Sequence, residues 1–236
     1  MNNDTLFHLF TNPWELQFSK NINQNNKYIC LSGNSGVGKS RLLRFIGETI
    51  FKLDNKTIAI DEKHIHHKFL SSLFLDTHKY GFQIQLDFMI QRSLLINKCI
   101  DSGYNLVMER SHFEDRIFMT HLFREGVVNQ SEFDTYMQLW KHLSKRTHIP
   151  NIMILLDFPL DFAINNVTTD EIFGRRPKEF PNAAKKQKWL TSWHKLYAEF
   201  FKEMRQNKYN IHTIDFNENS TIDDITKQIK KLLNCN

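Results

Sequence analysis

The stretch CLSGNSGVGKSRLL, which begins at Cys30, holds the most specific chemistry in the chain: Gly33, Gly38, Lys39 and Ser40 fit the pattern G-x-x-x-x-G-K-[ST]. Glycines let the backbone curl until the N–H groups of Asn34, Ser35, Gly36, Val37 and Gly38 face a phosphate. Lys39 then reaches the β- and γ-phosphates, and the Ser40 hydroxyl is placed for Mg2+. This loop implies ATP or another nucleoside triphosphate as ligand. It leaves the destination of the γ-phosphoryl group open, because water, a hydroxyl compound or a phosphate can all accept it.

Two further clusters bear on the acceptor. Glu62 follows the apolar run KTIAID, at the strand end where ligands bind open α/β sheets, and a carboxylate there can take a hydroxyl proton. The surrounding DEKHIHHK also reads as a charged loop, with His64, His66 and His67 facing solvent rather than a metal. Glu109, Arg110 and Ser111 end the apolar run NLVMER. An acid leaving a strand beside a phosphate loop can serve Mg2+, and Arg110 can neutralise charge on a transferring phosphoryl group. The alternative is an ordinary salt-bridged strand end.

The elements that must position these residues follow from apolar periodicity. KYICLSG reads as a strand and RLLRFIGETIF as the helix after the glycine loop, followed by the strand KTIAID. Helical spacing over 63–79 and again over 82–102 precedes the third strand, and helices over 112–125 and 131–147 precede the fourth, NIMILLD. FPLDFAINNV leads into a polar, proline-bearing segment, TTDEIFGRRPKEFPNAA, then a long amphipathic helix over 185–207, the strand NIHTID and the helix TIDDITKQIKKLL. Short apolar strands separated by helices predict a five-stranded parallel sheet flanked by helices, an α/β fold. The expected organisation is an N-terminal extension over 1–26 and a P-loop domain over 27–236 with a lid at about 168–182.

Composition bounds the partners. With 236 residues, 41% hydrophobic and 13% aromatic, the chain can bury one large core. The net charge of +5 suits an anionic ligand, but the bases are dispersed, so no stable nucleic acid partner is expected. No apolar window reaches the length of a membrane span, and MNNDTLFHLFTNPW lacks the layout of a secretory signal; the expectation is a cytoplasmic protein without a membrane partner. Cys30, Cys99 and Cys235 follow no metal-ligand spacing and read as core or bystander thiols.

On the P-loop and the Glu109-Arg110-Ser111 triplet, the chain resembles the deoxynucleoside kinase family, over roughly residues 28–215. The resemblance implies a P-loop kinase fold, Glu62 as general base for the nucleoside 5′-hydroxyl, Arg110 at the reacting groups and Glu109 serving magnesium. It further implies that Gln85 on the long helix, Arg92 seven residues on and Asp115 read the base, the combination of members accepting cytosine or purines. A planar amide pairs with a base edge, and an Arg–Asp couple can address exocyclic groups. The resemblance also implies a lid whose arginines clamp the donor phosphates; here Arg175, Arg176 and Lys178 represent it, with Glu179 in the place of the lid glutamate near the sugar. Departures are Lys63 where the family carries proline, which leaves Asp61 as the alternative base, Phe74 in the place of a sugar-contacting tyrosine, and Asn165 and Asn166 where a first lid arginine stands. Relatives pair as homodimers, and Leu94, Ile117 and Leu139 lie on faces that could serve either a dimer or the core. The resulting expectation is ATP-dependent phosphorylation of deoxyadenosine, deoxyguanosine or deoxycytidine in preference to thymidine. A nucleoside monophosphate kinase and a catalytically weak structural relative are the competing readings.

Overall fold

The computed structural model describes residues 7–9, 26–47, 57–62, 73, 76–176, 178–207, 209–214 and 222–232. Within these, strands β1 (Phe7–Leu9), β2 (Tyr28–Ser32), β3 (Thr57–Asp61), β4 (Asn105–Glu109), β5 (Ile152–Leu155) and β6 (Ile211–Thr213) form one sheet, ordered β1-β3-β4-β2-β5-β6. All pairs are parallel. Every residue of β2, β3 and β4 is buried, as expected for central parallel strands covered on both faces. The five strands expected from the sequence are present, and β1 adds a sixth from the segment expected to be an extension. It pairs with β3, Phe7 opposite Ala59.

The helices are α1 (Lys39–Phe45), α2 (Thr77–Asp101), α3 (Asp115–Arg124), α4 (Gln130–Ser144), α5 (Leu160–Ile172), α6 (Ala183–Gln206) and α7 (Ile222–Leu232). Strand alternation splits the core in two. Tyr28, Cys30, Ile58, Ile60, Leu106 and Met108 pack with residues of α2 and α6 such as Leu95, Trp193 and Phe201, whereas Ile29, Leu31, Ala59 and Val107 pack with Leu43, Ala163 and Ile229 on the other face. A smaller cluster, including Met89, Met119, Leu122 and Tyr136, joins α2, α3 and α4.

Three boundaries differ from the periodicity. The break expected between residues 79 and 82 is absent: the Asp76 side chain accepts from Lys79 N at 3.1 Å and starts one continuous α2. Gly81 is retained inside it because a Cβ there would stand 3.2 Å from Leu122 and 3.3 Å from Val127, so helix packing uses the missing side chain. Helix α3 starts at Asp115 rather than near 112, since His112–Glu114 form a turn. Helix α5 continues through TTDEI, part of the segment expected to be a polar lid, because Lys186 of α6 pairs with Glu171 and holds that last turn in place. The expected helix over 63–79 lies mostly outside the described residues, as do Phe74, the three histidines and Cys235.

Ile117 belongs to the core, whereas Leu94 and Leu139 are exposed. Cys30 and Cys99 are buried free thiols. Among the described residues no helix is long and apolar enough to cross a membrane.

Candidate active site

The parallel register brings the carboxyl ends of β2, β3 and β4 side by side, with Leu31 opposite Glu109 and Ile60 opposite Met108. The P-loop, Glu62 and Glu109-Arg110-Ser111 all leave from this edge. The P-loop follows β2 and opens α1 at Gly38, whose φ of 86° is left-handed backbone that a side chain would oppose. Gly36, at φ +82°, faces the backbone of Ala163, and a Cβ on it would lie 2.9 Å from Val167 Cγ2. The loop is thus pressed against α5. Asn166 Nδ2 donates to Gly36 O at 2.7 Å, so the residue standing where the resemblance implies a lid arginine braces the loop instead. Asn34 is similarly tied, its Nδ2 donating to Leu190 O of α6 at 3.0 Å and its Oδ1 accepting from Ser35 N at 2.8 Å.

Lys39 is buried and lies along the loop, its Nζ donating to Gly33 O at 3.1 Å and Asn34 O at 2.8 Å. Burial lowers its pKa, with the Arg110 charge acting the same way and Glu109 opposing. Glu109 is pushed in the other sense: burial raises its carboxyl, the Lys39 charge lowers it, and Asp61 raises it. The Ser40 hydroxyl lowers the pKa of this carboxyl group, whereas the neighbouring Asp61 carboxyl raises it. The buried Oε1 of Glu109 has no hydrogen-bond partner among the described residues. A buried orphan carboxylate oxygen beside a hydroxyl and a second acid is a hard-oxygen donor set that fits Mg2+. Among the described residues no group of three or more His, Cys, Asp or Glu could hold a metal ion.

Glu62, one residue past β3, is gripped by two arginines. Arg92 NH2 donates to its Oε1 at 2.6 Å, and Arg110 NH1 pairs with its Oε2. Asp61, the alternative base, faces Glu109 instead. Arg92 is 1% exposed, and its other two guanidinium nitrogens also have acceptors: Nε donates to Asp115 Oδ1 at 2.9 Å and NH1 to Glu109 O at 3.3 Å. Asp115 is buried with it, and burial pushes its carboxyl up to about 6, the Arg92 charge opposing. Gln85, two turns before Arg92, is also buried on α2. The pairing of Arg92 with Asp115 that the family resemblance implies is therefore present. Its additional contact with Glu62 was not anticipated.

The residues expected to form a lid divide. Arg176 pairs with Glu179 at 2.5 Å, both partly buried, and its charge is among those lowering the Lys39 pKa, which places it within electrostatic reach of the P-loop. Arg175 turns to Asp170 at the surface, Nε to Oδ1 at 3.1 Å, with its guanidinium 5.2 Å from the Phe173 ring. Sequence reasoning also missed Glu114 and Tyr197, which contact Arg110 or its neighbours. The repeated acid in FED was a weak signal for the first, and nothing marked the second.

A P-loop at the centre of a parallel sheet, with a lysine, an acid and an arginine at adjoining strand ends, defines a phosphotransferase of the P-loop class. The family model "Deoxynucleoside kinase" matches residues 29–234, and the chain belongs to the deoxynucleoside kinase family. Its relatives include a deoxyadenosine/deoxycytidine kinase of Bacillus subtilis, 24% identical over 218 residues that span 89% of this chain and 95% of that protein. A deoxyadenosine kinase of Dictyostelium discoideum is 28% identical over 130 residues, 55% of this chain and about half (51%) of that protein's length. The fold matches a deoxyadenosine kinase from M. mycoides, solved with bound dATP, with a TM-score of 0.71 at 19% identity, covering 88% of this chain and 99% of that one.

Proposed function

We propose that this deoxynucleoside kinase transfers the γ-phosphoryl group of ATP, or a related nucleoside triphosphate, to the 5′-hydroxyl of deoxyadenosine, deoxyguanosine or deoxycytidine. The observation that carries the reading is the placement of Glu62 between Arg92 and Arg110 at the strand edge that also holds the P-loop. In this arrangement the loop amides and Lys39 hold the donor phosphates. Mg2+, held through Ser40 and Glu109 with Asp61 beside them, would screen the negative charge of those phosphates. Glu62 takes the 5′-hydroxyl proton as the oxygen attacks, and Arg110 stabilises charge gathering on the transferred group.

Gln85, Arg92 and Asp115 address the base, and the buried, mutually paired Arg92 and Asp115 disfavour thymine, whose methyl-bearing edge leaves such groups unmatched. Arg176 and Glu179 supply the lid's contacts to phosphate and sugar, with Arg175 available at the surface of the same turn. A nucleoside monophosphate acceptor is less well served, because each guanidinium nitrogen of Arg92 is already engaged by a protein acceptor. A cytoplasmic homodimer completes the reading, with the exposed Ile90 and Leu94 of α2 and Leu139 of α4 as its apolar surface.

The test is transfer of labelled phosphate from ATP to deoxynucleosides, ribonucleosides and their monophosphates, by wild type and by Glu62→Gln. Label is expected on purine deoxynucleosides or deoxycytidine. Glu62→Gln should keep binding both substrates while losing most of kcat, whereas Asp61→Asn should not reproduce that split. Transfer chiefly to monophosphates, or normal turnover by Glu62→Gln, would overturn the reading.

A further inference from the structure

Arg110 is the only residue other than glycine with positive φ among the described residues, at 60°. Such backbone costs an L-residue about 1–2 kcal/mol and persists where surrounding contacts determine it. Part of the determination is local: Arg110 N donates to Leu31 O at 2.8 Å, so the strained residue is pinned to the strand that feeds the P-loop. The rest comes from far along the chain. Arg110 Nε donates to the Tyr197 hydroxyl of α6 at 2.9 Å, and that hydroxyl donates to Glu114 Oε1 at 3.0 Å. The direction of these bonds is fixed by chemistry, because a guanidinium only donates, so the phenol oxygen accepts from Arg110 and its own hydrogen is left for Glu114. The phenol proton therefore points at Glu114, and a phenol lone pair faces Arg110.

Glu114 is itself held on both carboxyl oxygens. It is fully buried, its Oε2 accepts from Ser111 N at 2.8 Å, and the Cys30 thiol of β2 approaches the same oxygen at 3.7 Å. The Phe118 ring lies 5.0 Å from the guanidinium carbon and closes another side. With Nε committed to Tyr197, the NH1 edge is turned toward Glu62. Neither Glu114 nor Tyr197 contacts Glu62, Lys39 or the loop through any described hydrogen bond.

From this geometry we infer that Tyr197 and Glu114 are positioning residues of the phosphoryl transfer, acting through Arg110 to hold its guanidinium at the place where charge develops. The inference rests on the role given to Arg110 above. It assigns a function in the reaction to a helix-α6 phenol 87 residues away in sequence. Preorganised donors are effective because they need no rearrangement as the reaction proceeds, and displacement of a reacting group by about 1 Å can cost on the order of a hundredfold in rate.

The experiment is a double-mutant cycle of Tyr197→Phe and Arg110→Lys, with Glu114→Gln as a second route into the same network, read as kcat and KM for ATP and deoxynucleoside alongside thermal melts. Tyr197→Phe is expected to fold, to keep both KM values within about twofold, and to lose roughly 10- to 100-fold in kcat. In the Arg110→Lys background, where no Nε–H is present to be positioned, adding Tyr197→Phe should cost almost nothing further. If Arg110→Lys alone retains kcat, the assigned role of Arg110 fails. If Arg110→Lys is impaired but the Tyr197→Phe loss multiplies in full on top of it, or Tyr197→Phe alone is fully active, the positioning inference fails while the role of Arg110 stands. Loss of cooperative melting in both Tyr197→Phe and Glu114→Gln would make the network a stability element and overturn the inference as well.

Discussion

Arg92→Ala should damage the fold before it damages recognition. The Arg92 side chain is 1% exposed, and its removal strips the neutralising partner from Asp115, equally buried, and one of two arginines from Glu62. Deleting one member of a buried ion pair costs about 3–5 kcal/mol, since the survivor stays desolvated. For a chain of this size that corresponds to a melting temperature lowered by about 6–20 °C. Asp115→Ala alone should cost less, because Arg92 keeps Glu62 and the Glu109 carbonyl. The double variant should be more stable than the sum of the single losses, giving a coupling of at least about 1 kcal/mol. The defect should also depend on pH with a definite sign. Burial pushes Asp115 up to about 6 in the folded state, from an ordinary carboxyl value of 3.8, even with Arg92 present, and without Arg92 it rises further. A folded value above the unfolded one means stability is fully present below the unfolded pKa and is lost as pH rises through the folded one. Arg92→Ala should thus be closer to wild type at pH 5 than at pH 8. Chemical denaturation of the four proteins at both values is the assay. A loss below 1 kcal/mol, simple additivity, or a defect that grows on acidification would refute the account of Arg92 as the neutraliser of buried acid.

Lys39→Ala should remain folded yet abolish transfer, because its ammonium serves phosphates and its contacts are to loop carbonyls rather than the core; near-normal turnover in a labelled-ATP assay would remove the P-loop role. Gly36→Ala combines strained φ with a collision against Ala163 and Val167, so it should raise the KM for ATP severalfold and lower stability by about 1–3 kcal/mol, checked by kinetics and melts; a silent substitution would mean that loop and α5 are not in register as described. Wild-type enzyme should use thymidine poorly, and the Arg92→Ala, Asp115→Ala double variant should show a higher ratio of thymidine to deoxycytidine activity even as total activity falls; an unchanged base ranking leaves Gln85 as the base-reading residue to defend.

What the sequence made legible is what is encoded locally. The P-loop and Glu109-Arg110-Ser111 are contiguous, and each leaves an apolar strand, so their meeting at one edge follows from parallel order alone. Arg92 and Asp115 were paired by the family resemblance rather than by any physical signal. The remainder depends on contacts whose partners lie far apart in the chain. Asn166 braces Gly36 across 130 residues, and Tyr197 reaches Arg110 across 87, and neither carries a periodic or compositional mark. The extension of α5 through TTDEI was hidden for a related reason: its stability comes from Lys186 on another helix, not from its own propensity. Gly81 looked like a helix break because its packing against Leu122 and Val127 is invisible in one dimension.

The position of β2 between β4 and β5 has a consequence for biosynthesis. Its partners begin with Asn105 and Ile152, so a ribosome that has released YICLS must add more than a hundred further residues before both flanks of that strand can be covered. Until then the nascent chain carries a five-residue apolar edge with unpaired amides, the kind of surface that recruits chaperones or seeds aggregates. Premature stops between β4 and β5 should therefore yield insoluble product rather than a smaller soluble kinase, and slow translation through residues 110–150 should lengthen the chain's dependence on holdases.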